Sequence, residues 1–202
     1  MLDRALTALA RRPLVATARG LVRLGVGADA VTLAGFATGL AAALCIATGR
    51  PLAGLACLLL SRLLDGLDGA VARQTTPTDR GAFLDITFDM LFYASIPLAF
   101  AVANPGANAL AAAVLLAAFM GTASSFLAFA VMAERRGLQS TSFPAKGLYY
   151  LGGLTEASET LICFVLMCLW PQHFAAFASV FAALCVLTIA TRLWAGWRGL
   201  PV

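Results

Sequence analysis

Between Ser61 and Met90 the chain reads SRLLDGLDGAVARQTTPTDRGAFLDITFDM, five aspartates and three arginines in a sequence otherwise rich in Ala, Leu, Val and Phe. Residues three and four apart share one face of a helix. Asp65, Asp68, Gly69 and Ala72 therefore form one stripe, and Gly81, Asp85 and Asp89 form a second. On neighbouring antiparallel helices, two carboxylates from each would converge in the groove between them, beside small residues where a ligand can approach the backbone. A carboxylate at the centre of a membrane helix costs about 2.5–3.5 kcal/mol, and several together also repel one another. Cations offset both effects, and hard oxygen ligands suit Mg2+ or Mn2+. Acidic side chains so paired can hold two divalent ions in the arrangement used for phosphoryl transfer. A solvated loop accounts for Asp79 and Arg80. It does not account for Asp65, Asp68, Asp85 and Asp89, which sit among LL, GL, FL and ITF inside apolar runs.

The elements that must position these residues are membrane helices. The chain is 61% hydrophobic and 12% charged, against about 25% charged in soluble domains. Apolar runs long enough to cross a bilayer, which takes about 20 helical residues, fall at about 31–49, 52–74, 79–103, 107–134, 148–170 and 172–197. The expected architecture is all-α and integral to the membrane: six transmembrane helices behind an N-terminal interfacial helix, in one domain over 1–202. Within it, 1–24 is a juxtamembrane amphipathic segment and 25–202 the six-helix bundle. The Thr76-Pro77-Thr78-Asp79 stretch reads as a turn and a helix start. Residues 1–24, with arginines spaced among Leu, Val and Ala, suit a helix lying on an anionic leaflet and broken at Pro13, or an ordinary basic flank. No cleavable signal peptide is expected.

Positive charge sets the orientation. With the N-terminus inside, twelve cationic residues face the cytoplasm (Arg4, Arg11, Arg12, Arg19, Arg23, Arg73, Arg80, Arg135, Arg136, Lys146, Arg192 and Arg198), while Arg50 alone faces outward and Arg62 lies within a span. Both termini and the acidic cluster are then cytoplasmic, and the net charge of +4 is a topology signal that points to no nucleic acid. The five cysteines lie inside predicted spans without CxxC or Cys/His clustering, which marks structural thiols, and the single histidine, His173, receives no role.

Taken together, Asp65-x-x-Asp68-Gly69-x-x-Ala72-Arg73 and Gly81-x-x-x-Asp85-x-x-x-Asp89 resemble the signature of the CDP-alcohol phosphatidyltransferases, integral membrane enzymes of phospholipid synthesis. The resemblance extends to six spans, a cytoplasmic N-terminal helix and an Asp29-x-x-Thr32-x-x-Gly35 start to the first span. It departs at one point: seven residues separate Arg73 from Gly81, where the family usually has about eight or more, which shortens the loop and leaves both aspartate pairs in register. The resemblance implies a CDP-diacylglycerol donor whose diphosphate lies on a metal pair, attack by the hydroxyl of a small alcohol, and release of CMP. By position, Asp65, Asp68 and Asp85 become metal ligands, and Asp89 becomes the general base with a further contact to the second ion. Gly69, Ala72 and Gly81 become small residues under the nucleotide, and Arg73 a partner of the diphosphate or of Asp68. Asp29 and Thr32 become nucleotide or metal contacts. A homodimer in a bacterial inner membrane is the corresponding assembly and location.

The acceptor is less constrained. Arg135, Arg136, Lys146 and Arg192 lie at cytoplasmic ends of later spans and suit an acceptor phosphate or carboxylate, or merely the topology rule. Glu156 and Glu159 fall well inside the predicted fifth span, where they suit acceptor hydroxyls or an amine, or an ion pair with Arg62. Glycerol 3-phosphate is the default acceptor among the polyols. Gly121, Gly152 and Gly153 suit close helix contacts. A cation or proton transporter is the main competing class, but such a path needs polar groups toward both faces, and LAGLACLLL and SIPLAFAVA are apolar. A non-catalytic scaffold would not require all four aspartates. A lipid acceptor with a CDP-alcohol donor fits the short chain less well.

Overall fold

The computed structural model describes residues 2–135 and 155–199, with side chains described for 13–135 and 155–198. Those residues form seven α-helices and one short 3-10 turn, and no strand is found among them. The helices are α1 (Leu2–Arg23), α2 (Ala28–Ala47), α3 (Pro51–Ala72), α4 (Asp79–Ala103), α5 (Pro105–Arg135), α6 (Ala157–Leu169) and α7 (Phe174–Gly199).

The first turns are tight for local reasons. Gly25 and Gly49 hold φ of 77° and 78°, the left-handed region open to glycine. After each glycine the chain closes a Schellman motif: Val26 N–H bonds Leu21 O at 3.0 Å, and Arg50 N–H bonds Cys45 O at 2.8 Å. Pro51 then opens α3, a position where its missing N–H is harmless. At the start of α4 the Thr78 hydroxyl accepts from Gly81 N–H at 3.1 Å, so the expected turn and helix start are both present.

Helices α2, α4, α5 and α7 are long and apolar enough to cross a membrane. Together α2 to α7 correspond to the six expected spans. Helix α3 carries Arg62, Asp65 and Asp68 within its length, which removes it from a purely apolar class, and α6 has 13 described residues. The core lies between these helices, built on Phe92, Ile96, Leu115, Phe164, Met167 and Phe174, all essentially inaccessible. Aromatic contacts knit it, including Phe100 stacked on Phe174 at 4.7 Å. Outward-facing Leu, Val and Trp side chains fit a lipid surround.

Three expectations change. Helix α1 runs unbroken through Pro13 and docks on the bundle, with Leu14, Ala18 and Leu21 packed against Val31, Leu67 and Val71. That apolar contact outweighs the one backbone bond a proline removes. Helices α3 and α4 meet through long side chains such as Arg62 and Asp89, and the backbone of each lies closer to α2, which forms the floor of a groove between them. Glu156 and Glu159 are not deep within a helix but at the start of one: they are the N-cap and third residue of α6, joined in a reciprocal capping box. The apolar composition continues upstream of the cap, which is why it concealed the boundary. Residues 148–154, and with them Gly152 and Gly153, lie outside the described residues.

Candidate active site

The close crossing of α2 on α3 creates the site. A Cβ on Gly35 would stand 3.3 Å from Leu64 Cβ and 3.6 Å from both Asp65 N and Ser61 O, so only a glycine allows this approach without displacement. Ser61, fully buried, locks the crossing by donating its hydroxyl to Gly35 O at 2.7 Å. The last two turns of α3 thereby bring Asp65 and Asp68 over the groove, and the first turns of α4 bring Asp85 and Asp89 from the other side.

Carboxylate oxygens of Asp65, Asp68 and Asp85 all lie within 4.8 Å of one another. Asp68 is buried, and its Oδ2 has no hydrogen-bond partner among the described residues. Three converging carboxylates with one buried oxygen unsatisfied are costly by themselves. An all-oxygen donor set of this kind fits a divalent cation of the Mg2+ or Mn2+ type.

Asp89 stands beside this trio, turned toward Arg62. The Arg62 Nη1 donates to Asp89 Oδ1 at 2.6 Å and lies 3.6 Å from Asp65 Oδ2. A pocket opens at this point, lined by Thr32, Gly35, Phe36, Arg62, Asp65, Asp85, Phe88 and Asp89. Its aromatic wall is Phe36 stacked on Phe88, 4.3 Å between centroids and 7° from parallel.

The remaining candidates fall in three groups. Thr32 lies beside Asp68 and donates its hydroxyl to Ala28 O at 3.0 Å. Asp29 is ion-paired with Arg80 and borders Gly81, where a Cβ would be 3.4 Å from Asp29 Oδ1. Arg73 caps α3 and folds its guanidinium back over Gly69, where a Cβ would meet Nη1 at 3.2 Å; Ala72 ends the same helix. The acceptor candidates sit elsewhere. Arg192 is buried on α7 and donates to Thr122 O of α5 at 3.1 Å. Glu156 and Glu159 cap α6, Arg135 is exposed at the end of α5, and Arg136 and Lys146 lie outside the described residues.

Sequence reasoning missed the Arg62–Asp89 bond, the Asp29–Arg80 pair and the Phe36–Phe88 stack. Arg62 carried a signal, being an arginine one turn from Asp65 inside a span, but its partner lies 27 residues away on another helix.

The arrangement of metal-competent carboxylates on two helices, floored by a third, agrees with the comparisons. The family model for CDP-alcohol phosphatidyltransferase matches residues 26–194. The chain belongs to this family. Over 197 residues, 98% of this chain and 96% of the other, it is 50% identical to the inner membrane protein YnjF of Escherichia coli (strain K12). It also resembles the phosphatidylinositol phosphate synthase of Mycobacterium tuberculosis. The structure of that synthase with CDP-DAG bound superimposes with a TM-score of 0.69 at 26% identity, covering 92% of this chain and 94% of the synthase. Its complex with manganese and citrate gives 0.68 at the same 26% identity, covering 91% and 88%. As a CDP-alcohol phosphatidyltransferase the chain is a membrane-embedded transferase of phospholipid synthesis, and its apolar helices and likeness to an inner membrane protein agree with a bacterial integral membrane location.

Proposed function

We propose that the protein transfers a phosphatidyl group from CDP-diacylglycerol to a hydroxyl of a small polar alcohol and releases CMP at the cytoplasmic face of the membrane. The observation that carries this reading is the convergence of Asp65, Asp68 and Asp85 within 4.8 Å at the family's own motif positions. The likeness to a synthase captured with CDP-DAG supports the donor.

In this reading Asp65, Asp68 and Asp85 hold a divalent cation, Mg2+ or Mn2+. When bound, it neutralises charge on the diphosphate oxygens and stabilises the leaving group. Gly69, Ala72 and Gly81 leave room for the nucleotide close to the backbone of α3 and α4. Arg73, lying over Gly69, supplies positive charge to the diphosphate, and Asp29 and Thr32 complete the nucleotide contacts from α2. Asp89 takes the proton from the acceptor hydroxyl as its oxygen bonds to the phosphorus that carries the diacylglycerol. The bond between that phosphorus and the CMP oxygen breaks, and CMP leaves with the electron pair. Acyl chains stay in lipid while the nucleotide departs to water, which accounts for a site near one end of the bundle.

For the acceptor, we assign the anionic group to Arg192, a buried cation and so one that an acceptor phosphate would pair with strongly, with Arg135 and Lys146 as outer contacts. Glycerol 3-phosphate and inositol phosphate are the acceptors this charge favours. The capping box already accounts for Glu156 and Glu159.

The test is CMP release by purified protein in detergent with CDP-diacylglycerol and Mg2+ or Mn2+, across glycerol 3-phosphate, inositol, inositol phosphate and serine. Acceptor-dependent CMP that disappears on Asp89→Asn supports the reading and names the alcohol. Protein that fails to bind the donor even with metal present would overturn it.

A further inference from the structure

We infer that helix α1 binds anionic phospholipid headgroups through an arginine stripe, and that this binding braces the end of α3 that carries Asp65 and Asp68. The lipid site rests on the membrane-embedded fold; its link to CMP formation rests on the transferase reading above.

The two faces of α1 differ in kind. Leu14, Ala18 and Leu21 pack against the bundle. At 3.6 residues per turn, Arg19 and Arg23 fall on the side almost opposite, and both are exposed. Arg12 stands seven positions before Arg19, in the same helical register. Neither Arg19 nor Arg23 makes an ion pair among the described residues, and Asp3 is the only acidic residue between 1 and 24. The stripe is complementary to an external anion.

The depth of α1 decides which anion that is. Its contacts on α3 run from Leu64 and Leu67, inside the apolar span, to Gln74 just beyond the helix end. Leu14 fits over Gly66, where a Cβ would stand 3.5 Å from Leu14 Cδ1. A helix at that level lies in the headgroup layer. Leu24, 80% exposed beside Arg23, adds an apolar contact that lipid satisfies and water does not. The partner is thus a lipid headgroup phosphate, and anionic lipids attract a basic segment by about fivefold for each arginine near the surface.

The brace follows from where α1 rests on α3. Leu67, Ala70 and Val71 line the side of α3 that faces away from the stripe of Asp65, Asp68, Gly69 and Ala72. Helix α1 therefore supports from behind the turns that present those carboxylates. The Gln74 side chain ties the two helices, donating to Val15 O at 3.2 Å and to Ala70 O at 3.3 Å. The apolar cluster at this contact is small and separate from the main core, its buried members being Ala18, Val31, Leu67, Ala70 and Val71. A helix held by so few apolar contacts opens more readily than the spans do. Lipid favours the docked helix because only there do the arginines share one face within the headgroup layer.

The experiment measures hydrogen exchange by mass spectrometry on the full-length protein in nanodiscs of phosphatidylcholine, with and without phosphatidylglycerol. At low salt, phosphatidylglycerol is expected to slow exchange over 14–24 by about tenfold or more, as about fivefold per arginine implies. Exchange over 67–75 should slow in parallel, and high salt should weaken both effects. Arg19→Gln with Arg23→Gln should abolish the slowing, whereas Arg19→Lys with Arg23→Lys should keep most of it, which separates lost charge from lost packing. Equal exchange in the two kinds of disc, or slowing that persists in the Gln pair, would overturn the inference. So would inorganic phosphate reproducing the slowing in phosphatidylcholine discs, or slowing of α1 without α3. CMP formation from CDP-diacylglycerol should rise with phosphatidylglycerol in the unmodified protein and not in the Gln pair; equal rates in both discs would overturn the brace. No CMP in any disc would instead remove the transferase reading, while the exchange data, which need no substrate, decide the lipid site on their own.

Discussion

Asp68 and Asp89 differ in what surrounds them, and their substitutions should differ accordingly. Asp68 is buried with an oxygen unsatisfied among the described residues, so Asp68→Asn should abolish metal binding and lower CMP formation by at least about 10²-fold, a size typical of lost electrostatic stabilisation at a reacting centre. Equilibrium dialysis with Mn2+ checks the first effect separately from the second. Asp89 instead accepts from Arg62 at 2.6 Å and lies outside the trio. Asp89→Asn should keep the metal and the donor but lower kcat by about 10²–10⁴-fold, the range for a general base. Equal loss of metal in both variants would make Asp89 a ligand and not a base. These aspartates were legible because helical spacing places them on one face whatever the tertiary structure. Arg62 was legible only as a costly charge in a span: its pairing with Asp89 depends on helices that come together only by packing and leave no periodic trace.

Helix ends and crossings carry the next set of consequences. At α6 the capping box needs an acceptor on residue 159 but no charge, and Gln serves at that position as well as Glu. Glu159→Gln should therefore leave the melting temperature and the acceptor KM within about twofold of the unmodified protein, whereas Glu159→Ala should lose about 0.5–2 kcal/mol of stability. A rise in acceptor KM with Gln and unchanged melting would return the charge to the acceptor site. The crossings show a graded pattern. A Cβ on Gly39 meets the fully buried Phe92 ring at 2.7 Å, while one on Gly121 meets the terminal carbon of Ile189, a half-buried and flexible side chain, at 2.5 Å. Gly39→Ala should accordingly cost about 1–3 kcal/mol as overpacking, and Gly121→Ala less, as thermal melts in detergent would measure. The spans themselves were readable from hydropathy, and α4 began and ended where expected because Thr78 and the flanking turns are explicit. The start of α6 was not, since Glu is a weak N-cap residue and apolar composition runs on either side of it. The packing of α3 and α4 each on α2 was equally hidden, because chain order suggests neighbours and only the small residues of α2 reveal which surface they share.

Across the whole molecule, charge and site fall at the same end. The C-terminus of α1, the start of α2, and the turn between α3 and α4 carry Arg19, Arg23, Arg73 and Arg80, and that turn lies directly beyond the carboxylates. The opposite end holds the α2–α3 turn with Arg50 and the α4–α5 turn at Asn104. The positive-inside rule predicts that the first end faces the cytoplasm, and the proposed reaction requires it there, since the nucleotide pool that supplies the donor's headgroup and receives the departing CMP is on that side. Single cysteines introduced at Thr76 and Asn104, both exposed, test this directly. In intact bacterial cells an impermeant maleimide should label Asn104→Cys and leave Thr76→Cys unmodified until the inner membrane is permeabilised. The native cysteines lie within helices and are at least partly buried, so the unmodified protein should give a low background. The reverse pattern would place the acidic cluster on the outer face, where no nucleotide pool exists, and the proposed donor would then have to be given up even though the fold and the family stand.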